Sequence, residues 1–350
     1  MRAAFLVLAS LTHFGGACAQ EIASPLGLPA VPSSVAGTPQ MRRLGEKLFF
    51  DRSLSANGAL SCAMCHIPSQ GYASNQSALA IGLEGRALRR NAPSLYNVVF
   101  KRFLFHDGRE IDLAAQVWGP LLGADEMGNP AIGPLLARLA ADTDYGPAFA
   151  AAFPGEGVTM TTVGRALAAY EAALLKGDSR FDRARFGGDE TALTAQERQG
   201  YEIFVGKGGC AACHQIGATS ALFTDQSWHD TGVAFRPRGA ASARVQLAPG
   251  VTTDARLAAL ARISRDPRSD LGRFEITRNP DDRWAFVTPM LRGVKDTWPY
   301  MHDGSLATLE EVVDFYDQGG GPNEALDPRM KPLGLTGAEK SALVSFLRAL

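Results

Sequence analysis

The alternation of hydrophobic and polar positions along the chain predicts a protein built mainly from helices. Apolar side chains recur at three- and four-residue intervals from Gln40 to Phe50 and again from Leu309 to Tyr316, which is the spacing of one helix face. The residues on these two faces are Met41, Leu44, Leu48 and Phe49, followed by Leu309, Val312, Val313 and Tyr316. Further helical patterns are found at residues 113–118, 135–141, 161–175 and 337–350. No segment shows a convincing strand alternation, so little β structure is expected.

Several segments lack this periodicity. Residues 20–40 are rich in proline, serine and glycine, which predicts an extended arm. Residues 67–91 are polar and glycine-rich, residues 242–282 mix charge with glycine, and both are predicted to be mostly loop. A loop as long as the first of these usually has a function in a compact domain. The polar residues 176–190 predict a domain boundary, after which Thr194 opens a capping box that begins another helix.

The charge balance excludes two classes of partner. The chain has 350 residues and a formal net charge of -1, with no polybasic segment. Neither nucleic acid nor an anionic membrane surface is therefore an expected partner. No later apolar segment approaches the ~20 residues that a membrane-spanning helix needs, so no membrane span is expected.

Residues 1–19 have the pattern of a secretory signal peptide. Arg2 supplies the positive charge, residues 3–11 form a short apolar run, and an Ala-Cys-Ala cleavage site ends the segment. A lipoprotein signal through Cys18 is the weaker alternative, because Gly15 stands where such signals favour leucine. Cleavage would remove Cys18 and leave four cysteines, all of them in two short motifs.

The pattern C-x-x-C-H occurs twice, at residues 62–66 and 210–214. Its members are Cys62, Cys65 and His66 in the first copy, and Cys210, Cys213 and His214 in the second. This is the attachment signature of c-type haem, in which two thiols add to the vinyl groups and the histidine binds the iron. A single copy would also fit a redox dithiol or half of a zinc site. Two copies, without further zinc ligands nearby, favour two covalently bound haem c groups.

The two motifs divide the mature chain into two similar helical units. Each unit has one motif near its start, which predicts an N-terminal haem domain at residues 20–185 and a C-terminal haem domain at residues 186–350. The expected fold class is mainly α, with two cytochrome c-like domains packed together after an old duplication. Because c-type haem is attached after export, the motifs and the signal peptide together predict a location in the periplasm.

Further short motifs follow one another along the mature chain in a specific order. They are Leu44-Gly45 with Phe49-Phe50-Asp51, Arg90-Asn91-x-Pro93, Asp107-Gly108-Arg109, Gln116, Pro120, Glu126-Met127 and Pro299-Tyr300-Met301-His302-Asp303-Gly304. With the haem motifs, this order resembles the bacterial di-haem cytochrome c peroxidase family and, within it, the MauG-like branch. The resemblance implies two packed haem domains, with hydrogen peroxide reacting at the N-terminal haem and electrons passing through the C-terminal one. It also implies a calcium ion between the domains, bound by Asn91, Thr297 and Pro299, which would otherwise be interpreted as turn residues.

The resemblance also assigns the axial positions of the two haem irons. Typical di-haem peroxidases carry a distal histidine in the loop before the Arg-Asn-x-Pro motif, and the corresponding residue here is Leu83. The first haem would therefore be open to peroxide. The distal methionine of the second haem corresponds to Tyr316, whose place on an apolar helix face supports the assignment. An ordinary core tyrosine is the alternative, whereas a phenolate ligand would stabilise ferric and higher states.

Gln116 and Glu126 correspond to the polar residues of the family's peroxide site. Cleavage of the O–O bond needs a proton moved from the inner to the outer oxygen, and the Glu126 carboxylate is the better group for this transfer. The alternative is a solvated glutamate after a loop.

His106 stands where the family has a tryptophan between the haems. It is either a structural histidine that binds a haem propionate or an inter-haem bridge, and both interpretations remain open. The change suggests a MauG-like group such as MbnH, which is associated with copper handling and acts on a tryptophan of a partner protein. His229 and His302 are expected to be structural, because both haems have better ligand candidates.

Three functions are compatible with these residues. The first is an enzyme that uses peroxide to form a high-valent two-haem state, which oxidises an aromatic residue, expected to be tryptophan, of a periplasmic partner protein. The second is a peroxidase that takes electrons from a small cytochrome or cupredoxin, and the third is an electron carrier without catalysis. Leu83 and Tyr316 favour the first function, and an open iron site disfavours the third. The candidate relay residues are Trp118, Trp228, Trp284 and Trp298.

Overall fold

The computed structural model describes residues 21–235, 242–248, 251–256 and 270–350, and these residues are mainly helical. The N-terminal half contains α1 (Ser33–Ala36), α2 (Pro39–Phe50), α3 (Cys62–Cys65), α4 (Leu113–Gln116), α5 (Trp118–Leu122), α6 (Ile132–Ala141), α7 (Tyr145–Ala152) and α8 (Met160–Glu171). The C-terminal half contains α9 (Arg180–Arg185), α10 (Ala195–Val205), α11 (Phe274–Thr277), α12 (Leu309–Asp317) and α13 (Gly337–Leu347). The expected fold class is confirmed. The predicted signal peptide lies outside the described residues.

The strands are few and form two antiparallel pairs among the described residues. β1 (Trp228–His229) pairs with β4 (Phe286–Val287), and β2 (Ser242–Ala248) pairs with β3 (Val251–Arg256). The prediction that residues 242–282 are mostly loop is therefore wrong at the β2–β3 hairpin. An alternation of small apolar residues with Arg244 and Gln246 was present in β2, but alanine made it weak.

Helices α2 and α8 cross in direct contact at Gly45. The Thr38 hydroxyl caps α2 by accepting a hydrogen bond from the amide of Met41 at 3.2 Å. A Cβ atom at position 45 would overlap the carbonyl oxygen of Ala166 and lie 2.8 Å from the Cβ of Tyr170. Glycine thus lets the two helix backbones touch, and the apolar face of α2 closes the N-terminal core.

The C-terminal half repeats this crossing between α10 and α13. A Cβ atom at Gly200 would overlap the carbonyl oxygen of Ala342 and lie 2.7 Å from the Cβ of Phe346. Each crossing therefore places a glycine against an alanine that is followed four residues later by an aromatic residue. The predicted capping box opens α10, since the Glu197 amide donates to the Thr194 hydroxyl at 3.2 Å. The repeated contact supports an internal duplication.

Each half has its own hydrophobic core. The N-terminal core extends from Met41 to Leu174, and the C-terminal core extends from Phe181 to Leu350. The segment predicted as a polar boundary contains α9, which inserts Phe181 into the second core. Within the described residues, no helix is both long and apolar enough to cross a membrane.

A buried ion pair attaches the N-terminal arm to the C-terminal half. The guanidinium of Arg292 donates to both oxygens of Asp182, at 2.6 and 2.8 Å. It also donates to the backbone carbonyls of Gly27 and Ala221, each at 2.6 Å. Four of its five N–H donors are therefore used, and the charge is paired with a carboxylate, as a buried charge requires.

Candidate active site

Both C-x-x-C-H motifs hold their histidine in the same way. Nδ1 of His66 donates a hydrogen bond to the carbonyl of Tyr72 at 3.0 Å, and Nδ1 of His214 donates to the carbonyl of Phe223 at 2.8 Å. The proton is thereby fixed on Nδ1, and Nε2 keeps its lone pair for a metal. Burial lowers the pKa of both imidazoles, which favours the neutral, metal-binding form.

None of the four motif cysteines forms a disulfide within the described residues. Burial raises the pKa of Cys62 and of Cys210 to about 12, and that of Cys65 to about 11. Zinc binds thiolate, which these surroundings disfavour, whereas a thioether to haem carries no charge. The environment of the thiols therefore fits haem attachment better than the zinc alternative.

A cavity of about 380 Å³ lies beside the second motif. Cys210, Cys213 and His214 line it, and α12 contributes the apolar face that ends at Tyr316. A mostly apolar cavity with a few polar groups is typical of a cofactor site. The fold thus brings His214 and Tyr316 to one cavity, although the sequence separates them by about 100 residues.

The hydroxyl of Tyr316 forms no hydrogen bond with the described residues. Burial, followed by the nearby charges of the Cys210 and Cys213 sulfurs, raises the pKa of this phenol. A ferric ion would reverse that shift by binding the phenolate, and covalent attachment would remove the two sulfur charges. The alternative, a core tyrosine whose hydroxyl is hydrogen-bonded to another residue, therefore finds no hydrogen-bond partner among the described residues.

Leu83 and Glu126 lie together near the first motif. The amide of Leu83 donates to the carbonyl of Glu126 at 3.0 Å, and a Cβ at Gly128 would come 2.5 Å from the Leu83 side chain. Burial raises the pKa of Cys65 and the carboxyl charge of Glu126 adds to this shift, so the carboxyl lies close to the first motif. Gln116 ends α4 and is partly buried, and no described hydrogen bond joins it to Glu126.

The carboxyl of Glu126 is in a mixed electrostatic environment. Burial raises its pKa, the guanidinium of Arg109 opposes this shift, and the carboxylate of Asp125 reinforces it. The side chain lies over Gly123, where a Cβ would overlap the carboxyl group. A partly buried carboxyl with a raised pKa is better suited to taking up and returning a proton than an exposed glutamate.

His106 is fixed to the end of the long loop. Its Nε2 donates a hydrogen bond to the carbonyl of Asn91 at 3.0 Å, and burial lowers its pKa to about 3. The imidazole is therefore neutral, and Nδ1 carries no proton that could be donated to a haem propionate. His106 lines the same cavity as His214, so the interpretation as an inter-haem group gains support from this tautomer.

The three predicted calcium ligands all line the cavity beside the second motif. Nδ2 of Asn91 donates to the carbonyl of Ala78 at 2.9 Å, which orients the amide and leaves Oδ1 as an acceptor. Thr297 and Pro299 flank Trp298 on the opposite segment. Amide, hydroxyl and carbonyl oxygens are the donors that a hard cation takes.

A network of charges holds the Arg-Asn-x-Pro motif against the C-terminal half. The guanidinium of Arg90 binds Asp270 through two hydrogen bonds at 2.7 and 2.8 Å and Asp107 through one at 2.6 Å. Trp228 donates from Nε1 to the Asp107 carbonyl at 3.1 Å, and the guanidinium of Arg273 lies 4.0 Å above its ring. A cation at that distance disfavours a positive hole on the indole, so Trp228 is a poor relay.

The two remaining histidines have structural contacts, as expected. His302 is buried and stacks on Phe286 with ring centroids 3.9 Å apart. His229 is hydrogen-bonded to Asp225 at 2.8 Å and to Asp327 at 2.9 Å. Cys213, Asp225 and His229 come close enough to suggest a metal site, but haem attachment would consume the sulfur.

Two features of the site were not predicted from the sequence. Lys101 lines the cavity, burial lowers its pKa to about 8, and no described carboxylate neutralises it. A buried amine of this kind suits an anionic group such as a haem propionate. The carbonyl of Tyr72 binds His66, and its hydroxyl contacts the hydroxyl of Tyr170. Nothing local in the sequence indicates either role, because both depend on residues far apart in the chain.

Comparison with known proteins agrees with this arrangement. The profile of the di-haem cytochrome c peroxidase family matches residues 39–191. The cytochrome-c peroxidase IdrP2 of Denitromonas iodatirespirans is 39% identical over 328 residues, covering 92% of this chain and 84% of the relative. The methylamine utilization protein MauG of Methylorubrum extorquens is 36% identical, covering 89% of this chain and 78% of the relative.

The chain belongs to the di-haem cytochrome c peroxidase and MauG family. The crystal structure of a MauG-like protein associated with microbial copper homeostasis has the same fold, with a TM-score of 0.76 and 30% identity over 95% of this chain and 94% of that one. The predicted family is therefore confirmed. This family member is a peroxide-dependent oxidoreductase with two haem c groups, and the two C-x-x-C-H motifs are the attachment sites that its sequence offers.

Proposed function

We propose that this di-haem protein works in the periplasm and uses hydrogen peroxide to oxidise an aromatic residue, most simply tryptophan, of a partner protein. The observation that carries the proposal is the pair Leu83 and Tyr316. Leu83 lies beside Glu126 and corresponds in sequence to the family's distal histidine, and Tyr316 shares a cavity with His214.

Leu83 would leave the peroxide-binding side of the first haem iron open. An aliphatic side chain cannot bind iron, so peroxide could enter the first site without a preceding reduction that removes a ligand. Its packing on Gly128 holds the loop in this open arrangement. A typical reductively activated peroxidase has no need of such a site at rest.

Bound haem supplies the redox chemistry by reducing peroxide and storing the oxidising equivalents. Glu126 takes the proton of the entering peroxide and returns it to the leaving oxygen, for which its buried carboxyl is suited. Tyr316, as an anionic phenolate, would stabilise the second haem in its oxidised states. Lys101, which lines the cavity, would bind a propionate of the haem and so orient the cofactor.

A calcium ion between Asn91, Thr297 and Pro299 belongs to the same proposal. Asn91 also holds His106 through its carbonyl, so the ion would stiffen the segment that lies between the two haems. Removal of calcium with a chelator should therefore weaken the electronic coupling of the haems before it unfolds the protein.

The second candidate is an ordinary peroxidase that receives electrons from a small cytochrome or cupredoxin. The similarity to a cytochrome-c peroxidase at 39% identity favours it. The two candidates differ in their requirement for reduction: a peroxidase turns over with a reduced redox protein, whereas a protein-modifying enzyme starts from the di-ferric state.

Electron paramagnetic resonance of the di-ferric protein, before and after one equivalent of peroxide, tests the proposal. A high-spin first haem, a low-spin second haem and a reaction with peroxide without prior reduction are expected. The matched variant Leu83→His should become low-spin at both haems and require reduction. Two low-spin haems in the wild type, or fast turnover with a reduced cytochrome and no mass change in any co-expressed periplasmic protein, would contradict the proposal.

A further inference from the structure

Two tyrosines meet beside the proximal histidine of the first haem motif. The hydroxyl oxygens of Tyr72 and Tyr170 are 3.3 Å apart. The carbonyl of Tyr72 also accepts the Nδ1 hydrogen bond of His66 at 3.0 Å. The pair is therefore connected to the iron ligand by one hydrogen bond and the backbone of a single residue.

Aromatic side chains continue this contact in both directions. Phe49 packs against both rings, with centroid distances of 6.1 Å to Tyr72 and 5.1 Å to Tyr170. Tyr96 lies 5.7 Å from Tyr72 and lines the cavity of the second motif. On the other side, Tyr170 contacts Phe50 at 6.4 Å, and Phe50 is 45% exposed on the surface of α2.

We propose that Tyr72 and Tyr170 form a relay that carries oxidising equivalents from the first haem to the surface of α2 and α8. The relay rests on the peroxide reaction in the proposed function, but it is independent of the identity of the final substrate. The substrate of the relay would be an electron donor that a tyrosyl radical near the protein surface can oxidise.

The transfer balances in two steps. In the first, Tyr72 gives one electron to the peroxide-oxidised haem, its phenolic proton passes to the Tyr170 oxygen, and the proton of Tyr170 leaves to water. In the second, a hydrogen atom moves from Tyr170 to Tyr72 across the 3.3 Å contact, which restores Tyr72 and leaves the radical on Tyr170. The net result is one electron from Tyr170 to the haem and one proton to water, with peroxide as the oxidant.

The positions of the two phenols suit these roles. Tyr170 is 9% exposed and contacts Phe50, which is 45% exposed, so its ring lies close to the surface. Burial and the Tyr72 hydrogen bond raise the pKa of the Tyr170 phenol, which keeps the transferable hydrogen in place. The second step needs no base, because proton and electron move between the same two oxygens. Trp228, by contrast, carries the Arg273 cation 4.0 Å above its ring.

The test uses the di-haem holoprotein without any partner, mixed with one equivalent of peroxide. Tyr72→Phe and Tyr170→Phe keep both rings in the core and remove one hydroxyl each. Tyr201→Phe is the control, since Tyr201 packs against Phe346 in the other core. Stopped-flow spectroscopy follows the decay of the oxidised haems, and freeze-quench electron paramagnetic resonance with ring-deuterated tyrosine identifies the radical.

We expect a tyrosyl signal in the wild type and in Tyr201→Phe, its loss in Tyr170→Phe, and a several-fold slower haem decay in both relay variants. An unchanged radical signal and unchanged decay in Tyr72→Phe and Tyr170→Phe would overturn the relay. Failure to modify any partner protein would contradict the proposed function while leaving this radical assay intact. A ferric protein that does not react with peroxide would overturn both.

Discussion

Replacement of Glu126 by glutamine should slow the reaction of the first haem with peroxide more than any other single change in a carboxylate. Glu126→Gln keeps the size and shape of the side chain but removes its ability to accept a proton. The Leu83–Glu126 backbone hydrogen bond is unaffected, so the loop should keep its position. The change therefore isolates proton transfer from packing.

The magnitude follows from the environment of the carboxyl. Positioned acid–base groups contribute about 10²–10⁴-fold to a rate, which corresponds to ~3–5 kcal/mol of barrier. Because burial raises the pKa of Glu126 above its ordinary value of 4.5, the group is better matched to proton transfer near neutral pH than an exposed glutamate. We therefore expect a loss of about 10³-fold, in the middle of that range.

The raised pKa of Glu126 also predicts how the rate of the peroxide reaction changes with pH. The carboxylate is the active form, so the rate of the wild type should fall as the pH falls through the raised pKa of Glu126. Since the Asp125 carboxylate helps to raise that pKa, Asp125→Asn should move the falling limb to lower pH. Glu84→Gln, at a carboxylate that is 64% exposed and pairs with Arg86, should leave rate and profile unchanged.

Stopped-flow measurement of the second-order rate constant with peroxide, from about pH 4 to 9, provides the assay, since ordinary carboxyls titrate at the lower end of this range. The reasoning would be refuted by a Glu126→Gln variant that has the wild-type rate constant and retains the falling limb. A rate loss with the limb still present would assign the proton transfer to another group.

Three further perturbations test other parts of the structure. Gly200→Ala should lower the free energy of unfolding in urea by ~1–2 kcal/mol, because overpacking at the α10–α13 crossing outweighs the gain in helix propensity. The control Gly133→Ala, where a Cβ meets nothing within 4 Å, should be neutral or stabilising. Equal effects of the two substitutions would contradict this account. Tyr316→Phe should raise the reduction potential of the second haem in spectroelectrochemistry, and a wild-type spectrum would exclude tyrosine ligation. His106→Ala should leave the peroxide reaction of the first haem intact but localise its product, so retention of the near-infrared charge-resonance band would assign His106 a purely structural role.

The helices were predictable where one apolar face is set against polar residues. The prediction of α2 from Gln40 to Phe50 differs from the structure by one residue, because Met41 and Leu48 alternate with charged residues on the outer face. Helix α7 was missed since its sequence, rich in alanine, gives no contrast between faces. The β2–β3 hairpin was missed for a similar reason, since small residues hide a period of two.

The candidate site could be predicted only where a motif is local. The two haem motifs and the capping box at Thr194 can each be recognised within five consecutive residues. The partners of His106 and Tyr72 do not, because Asn91 is 15 residues from the former and Tyr170 is 98 residues from the latter. Lys101 shows the same limit: its charge is plain in the sequence, but its burial is a property of the folded cavity.

The buried bond between Arg292 and Gly27 bears on the order in which the chain completes its fold. The two residues are 265 positions apart, so the segment around Gly27 cannot complete its contacts until a segment near the other end of the chain is present. A fragment that begins at residue 186 would bury Arg292 without Asp182 and Gly27, and an unpaired buried charge costs ~3–5 kcal/mol. The arm and α9 therefore belong thermodynamically to the C-terminal half. A protein split into two fragments should therefore reassemble only if the C-terminal fragment is supplied with both the N-terminal arm and α9.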